Sequence, residues 1–182
     1  LHMTIAAFCA TGFAVAGLHA SLILKGKNVN FHKEAFKISS VIAITAAMIA
    51  PLSGDISAKD VEERQPIKLA AMEAHFKTEQ SAPFVLGGIV DEANEEINYA
   101  IKIPGVLSFL VHSDFNKEVK GLEEFPKDEW PPVAVVHYAF QIMITFGMLM
   151  MGVGMIYLIA HFIKKDWKSK RWFYKLFMIA TP

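Results

Sequence analysis

Three stretches of this chain carry no Asp, Glu, Lys or Arg, and they restrict its possible folds more than any other feature: Leu1 to Leu24, Ile38 to Gly54 and Pro131 to Ile163. A helix rises about 1.5 Å per residue and the hydrocarbon core of a bilayer is about 30 Å thick, so about 20 apolar residues cross it. The first run (residues 1–24) and the third (residues 131–163, interrupted by His137, Gln141 and His161) meet that length. The second is shorter, but Phe31-His-Lys-Glu-Ala and Phe36 extend it into the interface, which predicts a span over residues 33–53. A fourth apolar run, residues 172–182, is too short to cross. The expectation is an all-α, multi-pass transmembrane helical bundle with one large loop, residues 54–130. With no basic region ahead of Leu1 and no clean small-residue cleavage site, a signal peptide fits poorly and a piece of a larger membrane protein fits better.

The charges are segregated to match. The formal net charge is zero, yet the stretch from Ser53 to Trp130 holds sixteen acidic and eight basic residues, a net of −8. The remainder has only Glu34 and Asp166 against ten basic residues, a net of +8. Lys25, Lys27, Lys33 and Lys37 join the first two spans; Lys164, Lys165, Lys168, Lys170 and Arg171 follow the third. Under an alternating topology both clusters fall on one side, and positive loops collect in the cytoplasm. The acidic loop is then expected outside, on the extracytoplasmic face of a bacterial or archaeal cytoplasmic (inner) membrane. Cys9 is the only cysteine, so intrachain disulfides and multi-thiolate metal sites are excluded, and in an apolar span it reads as a small packing residue.

The start of the loop is the most informative stretch. Ser57-Ala-Lys-Asp60 reads as a capping box, Pro66 suits a first helical turn, and Ile67, Ala70, Ala71 and Ala74 supply an apolar face at helical spacing. Gly54-Asp55 followed by Gln65-Pro-Ile-Lys-Leu-Ala-Ala-Met-Glu-Ala74 resembles the quinol-binding loop of the cytochrome bd-type quinol oxidase large subunit, and the resemblance extends over essentially the whole chain. It implies that Lys68 and Glu73 act in quinol oxidation. Five residues apart on a helix, they lie roughly 140° apart around the axis, so they do not form an i,i+4 ion pair and would approach a ring from different directions. A lysine can donate to a quinol or quinone oxygen, and a carboxylate can accept a hydroxyl proton. Without the resemblance the two would read as solvated charges. The acidic clusters Asp91–Glu96 and Glu123-Glu124 read as solvated faces, His112 has no visible partner, and residues 76–130 resemble a short version of the family's loop.

The same resemblance implies a low-spin haem b. Such a haem takes two axial ligands from opposite faces, commonly His with His or Met, and a histidine inside an apolar span is a functional candidate by default. His2 opens the first span, upstream of Thr11-Gly12 and of the exit Leu24-Lys25-Gly26-Lys27 that the family shares. Met143 lies in the third span, within His137-Tyr-Ala-Phe-Gln-Ile-Met143. Both spans run inward, so both residues belong to the half of the membrane that carries the loop, and the resemblance implies that His2 and Met143 ligate the iron. Met148, Met150, Met151 and Met155 share the span, so a methionine alone says little there. Gln141 is a cofactor-side position where many family members have Arg; the neutral residue gives up a positive charge that would favour the reduced haem. His19 reads as a polar packing residue and His137 as interfacial; His32, His75 and His161 need no special role.

What the resemblance implies is part of a terminal respiratory oxidase, a quinol:oxygen oxidoreductase. Quinol (ubiquinol or menaquinol) is oxidised at the outer face, and electrons pass through the low-spin haem b to a high-spin haem b and a haem d that reduce oxygen. The ligands of those two haems are expected elsewhere in the complete protein. The implied partners are a second large subunit and membrane lipids, with no nucleic acid. The alternatives are another quinol-linked b-type cytochrome subunit, which usually pairs His with His across the bilayer, and a non-enzymatic membrane protein with a regulatory outer domain.

Overall fold

The computed structural model describes residues 1–163 and 170–181. Lys164, Lys165 and Lys168, part of the basic cluster above, lie outside the described residues. Helix accounts for 67% of the described residues. Among the described residues, three helices are long and apolar enough to cross a membrane: α1 (His2–Leu24), α2 (Val29–Arg64) and α5 (Val133–Phe162). The chain divides into two compact units, Leu1–Ser53 with Thr145–Pro182, and Gly54–Ile144.

In the first unit, a core of Cys9, Phe13, Ala16 and Ala20 from α1 meets Phe36, Ala43, Ile44 and Ala47 from α2 and Met150 and Val153 from α5. Where lipid and protein interior are equally apolar, helices associate through close packing, and small residues permit it. Gly12 shows how close: a Cβ placed there would lie 2.9 Å from the Cα of Ala43. The short helix α6 (Arg171–Ile179) seals this core with Phe173, Tyr174 and Phe177, the last stacked on Phe13 at a centroid distance of 5.5 Å.

α2 does not stop where its apolar run stops. It continues through Pro51 to Arg64, and ion pairs at i,i+4, Lys59–Asp55 (2.9 Å) and Arg64–Asp60 (2.7 Å), brace its charged end. The capping box read at Ser57-Ala-Lys-Asp60 is therefore corrected: these residues lie inside α2, and no helix begins there. The break comes one step later. Gln65 leaves the helical region (φ −142°, ψ 60°) because Pro66 clashes with a helical predecessor, and Pro66 then opens α3 (Pro66–Met72).

The second unit is not helical throughout. Three two-stranded antiparallel ribbons occupy it: β1 (Glu79–Gln80) with β6 (Glu118–Val119), β2 (Phe84–Leu86) with β5 (Ile101–Ile103), and β3 (Ile89–Asp91) with β4 (Glu96–Asn98). The helix α4 (Val106–His112) follows β5. Two small cores hold the unit. Ala70, Ala71, Ala74, Phe76, Leu122 and Val133 form one, and Leu69, Ala82, Leu107, Val111 and Val119 the other. The apolar face anticipated on α3 is thus the face that packs.

Candidate functional site

α3 ends where the site begins. Glu73 caps it, and Ala74 turns into the left-handed region (φ 49°). His75 N–H donates to the Ala70 carbonyl (2.8 Å) and Ala74 N–H to that of Ala71 (3.3 Å). This is the Schellman closure, with Ala where glycine is usual, at a cost of about 1 kcal/mol. The helix is stopped so that Glu73 turns into the unit: it is only 3% exposed, while Lys68 stands exposed on the same short helix. The different directions expected from their spacing are thus realised as one buried and one solvent-facing charge. Burial pushes the Glu73 carboxyl up to about 8, and its Oε2 has no hydrogen-bond partner among the described residues.

The first turns of α5 face the loop with a row of side chains that hold its backbone. His137 is fully buried, and its Nδ1 lies 2.8 Å from the Met72 carbonyl. Four residues on, Gln141 donates its amide to the Val85 carbonyl of β2 (2.8 Å). The Tyr138 hydroxyl accepts from the Val90 N–H (3.0 Å), and a Glu92 carboxylate oxygen accepts from the Ala134 N–H (2.7 Å), satisfying a donor at the start of α5. Glu92 and its neighbours are therefore more than a solvated face. Asp91 accepts from the backbone of Ala93 and Asn94 and from the Asn94 side chain, which hold its carboxyl below the usual range. Glu123 and Glu124 accept from Thr78. His112 has partners, the Glu118 carbonyl at 3.1 Å and Glu62 at 3.9 Å. Sequence gives little sign of such roles, because an acid bonded to a backbone N–H and a solvated one look alike. A recess of about 320 Å³ opens beside Ala74 and is lined by His75, Phe76, Lys77, Ile97 and Lys102; neither Lys68 nor Glu73 lines it.

In the first unit, His2 has its ring oriented by Ser53. The Ser53 hydroxyl oxygen lies 2.9 Å from the Ala50 carbonyl and 2.9 Å from His2 Nδ1. Held through Nδ1, the ring keeps Nε2 as its other nitrogen, and an outer partner of this kind is what orients a metal-ligating histidine. Met143 belongs to the second unit, on α5, and is 54% exposed. Its neighbours Met148 and Met155 are also exposed, whereas Met150 is buried against Cys9 (Sγ to Sδ 3.7 Å). Among the described residues no group of three or more His, Cys, Asp or Glu side chains is placed to hold a bare metal ion. A His and Met pair is a donor set for a haem iron, which brings four ligands of its own.

Helices long and apolar enough to cross a membrane, joined by a braced loop that buries a carboxyl, are the features of a multi-pass membrane subunit. The sequence-family model described as cytochrome bd terminal oxidase subunit I matches residues 1–182. The chain is 34% identical over 185 residues to the putative cytochrome bd menaquinol oxidase subunit I of Bacillus subtilis (strain 168), covering 100% of this chain and 42% of that protein. It is 30% identical over 191 residues to the cytochrome bd ubiquinol oxidase subunit 1 of the same organism, covering 98% and 40%. Among solved structures, the bd oxidase of Geobacillus thermodenitrificans superposes with a TM-score of 0.89 at 35% identity, covering 100% of this chain and 41% of that one. The chain belongs to the cytochrome bd terminal oxidase subunit I family, and it spans about two fifths of the length of these relatives.

Proposed function

We propose that this chain is the quinol-oxidising part of a bd-type terminal oxidase, with Lys68 and Glu73 acting on the substrate. The observation that carries the reading is Glu73: a buried carboxyl with an unpartnered oxygen, raised to about 8. A carboxyl in that range exchanges protons near neutral pH, which an ordinary surface glutamate does not. In this reading Lys68 donates a hydrogen bond to a quinol oxygen and Glu73 takes a hydroxyl proton, from the two directions that α3 gives them. The charge split of −8 and +8 supports placing this loop on the outer face of the cytoplasmic membrane, where the protons are released.

A low-spin haem b, when bound, supplies a one-electron acceptor for the quinol. His2 and Met143 are the residues that would hold it. The Ser53 contact at His2 Nδ1 supports this, since it leaves Nε2 as the donor atom. Gln141 sits two residues before Met143 and presents a neutral amide tied to Val85, so the haem gains no positive charge from this position. The rest of the reaction, oxygen reduction at a high-spin haem b and a haem d, and the pairing with a second subunit, belongs to the complete protein. The quinol is of the ubiquinol or menaquinol class, since both terms occur in the names of its relatives.

The test is Lys68→Ala and Glu73→Gln in the complete oxidase. Quinol oxidation should fall about a hundredfold or more with haem content unchanged, and electron input from an artificial reductant that bypasses quinol should persist. Parental quinol rates in both variants would return these residues to ordinary charges.

A further inference from the structure

The quinol-site reading leaves His137 unused, and its environment is unusual. Its ring is 0% exposed on the second turn of α5. The Met72 carbonyl 2.8 Å from Nδ1 can only accept, so Nδ1 carries the hydrogen and Nε2 is a bare acceptor. That Nε2 is buried with no hydrogen-bond partner among the described residues. Met72 is followed directly by Glu73, whose Oε2 is the other unpartnered buried atom at this place. Leaving a buried polar atom unsatisfied costs about 1–3 kcal/mol, so two on groups that flank one peptide unit call for an explanation. Their chemistry is complementary. A protonated carboxyl has a hydrogen to give, and this tautomer of imidazole has a lone pair to receive it.

We propose that His137 is the proton acceptor for Glu73. The O–H bond of the Glu73 carboxyl breaks and an N–H bond forms at His137 Nε2, with no change of oxidation state, and rotation of the Glu73 side chain toward the ring is the motion required. The resulting imidazolium keeps its Nδ1–H on the Met72 carbonyl, and it offsets the carboxylate it has just created. That carboxylate can then take a hydroxyl proton from quinol, which the protonated acid cannot. His137 thus primes Glu73. The proposal rests on Glu73 belonging to the quinol site, and it adds a base that no recognised motif marks.

A purely structural His137 would need only its Nδ1–H to hold Met72, and an asparagine amide occupies about the place of Nδ1. In the complete oxidase, His137→Asn should keep haem content and bypass electron input while kcat for a short-chain quinol falls about a hundredfold and KM stays within about twofold. His137→Gln, with an amide near the Nε2 position that accepts no proton at neutral pH, should be equally slow. The double variant Glu73→Gln with His137→Asn should be no slower than the slower single, because both act in one transfer. Full rate in His137→Asn alongside a slow Glu73→Gln would overturn the role of His137 alone, whereas full rate in Glu73→Gln would overturn the quinol-site reading itself. Losses that multiply in the double variant would also overturn the proposal. Should the histidine variants fail to assemble, infrared difference spectra of the parental oxidase with ¹⁵N-labelled histidine decide instead. Quinol addition should produce an imidazole protonation band that is missing in Glu73→Gln, and its absence from the parental spectrum would overturn the proposal.

Discussion

Glu73 shows how one residue links fold to pH. Folded, its carboxyl holds the proton up to about pH 8; the unfolded chain releases it near 4.5. Between those values the folded state carries the extra proton, so this group makes stability fall as pH rises through the window and level off above it. Glu73→Gln keeps the shape and removes the titration. Its thermal midpoint in the purified oxidase should match the parent near pH 5 and exceed it near pH 9, by a few kcal/mol of stability at most. Parallel midpoints across that range would mean that the carboxyl is ionised in the fold. Ser53 allows a second residue-scale prediction. Ser53→Ala removes the hydroxyl that holds His2 Nδ1, and loss of such an outer partner typically weakens metal binding by about 10–100-fold. Haem titration of the variant should show that loss in the low-spin spectrum, and unchanged retention would detach Ser53 from the site.

Among the elements, close packing of small residues sets the tolerance for change. Gly12→Ala would put a methyl group 2.9 Å from Ala43 Cα, a backbone atom that cannot swing away. Overpacking of that kind costs about 1–3 kcal/mol, so the variant's thermal midpoint should drop, and Ala43→Gly in the same chain should recover part of it because the Ala43 Cβ is also 2.9 Å away. An unchanged midpoint would show that α1 and α2 separate at no cost. The elements were unevenly legible in the sequence. Long uncharged runs announce spanning helices because nothing else can satisfy both their length and their composition. Gln65-Pro66 announced the start of α3 because proline acts on its neighbours directly. The last turns of α2, from Asp55 to Arg64, were hidden by their charges, which suit a loop as well as a helix carrying i,i+4 pairs. The ribbons were hidden by length, since strands of two or three residues are too short for any alternation to register. At the site, Lys68 and Glu73 were visible only through the Gln65–Ala74 resemblance. The burial of Glu73 and the role of His137 as partner to the Met72 carbonyl depend on where α5 packs, which local sequence does not encode.

For the molecule as a whole, the strongest physical constraint is the division of charge. An uncharged run can cross a bilayer in either direction, and the bias of Lys and Arg decides between them. Here Lys25, Lys27, Lys33 and Lys37 mark one end of the first two spans, and the loop that carries Glu73 holds twice as many acidic as basic residues. Under the proposed function the same arrangement would deliver the quinol protons to the outer side, where their release builds the membrane potential. Single cysteines test the orientation with little background, since the native Cys9 is 4% exposed. Tyr99, at 93% exposure in the loop, should as Tyr99→Cys react with a membrane-impermeant maleimide in intact cells. Lys27→Cys, in the exposed turn after α1, should react only once the membrane is opened. The opposite pattern would place Lys68, Glu73 and His137 on the cytoplasmic side and remove the basis for outward proton release, while leaving the packing of α1, α2, α5 and α6 unaffected.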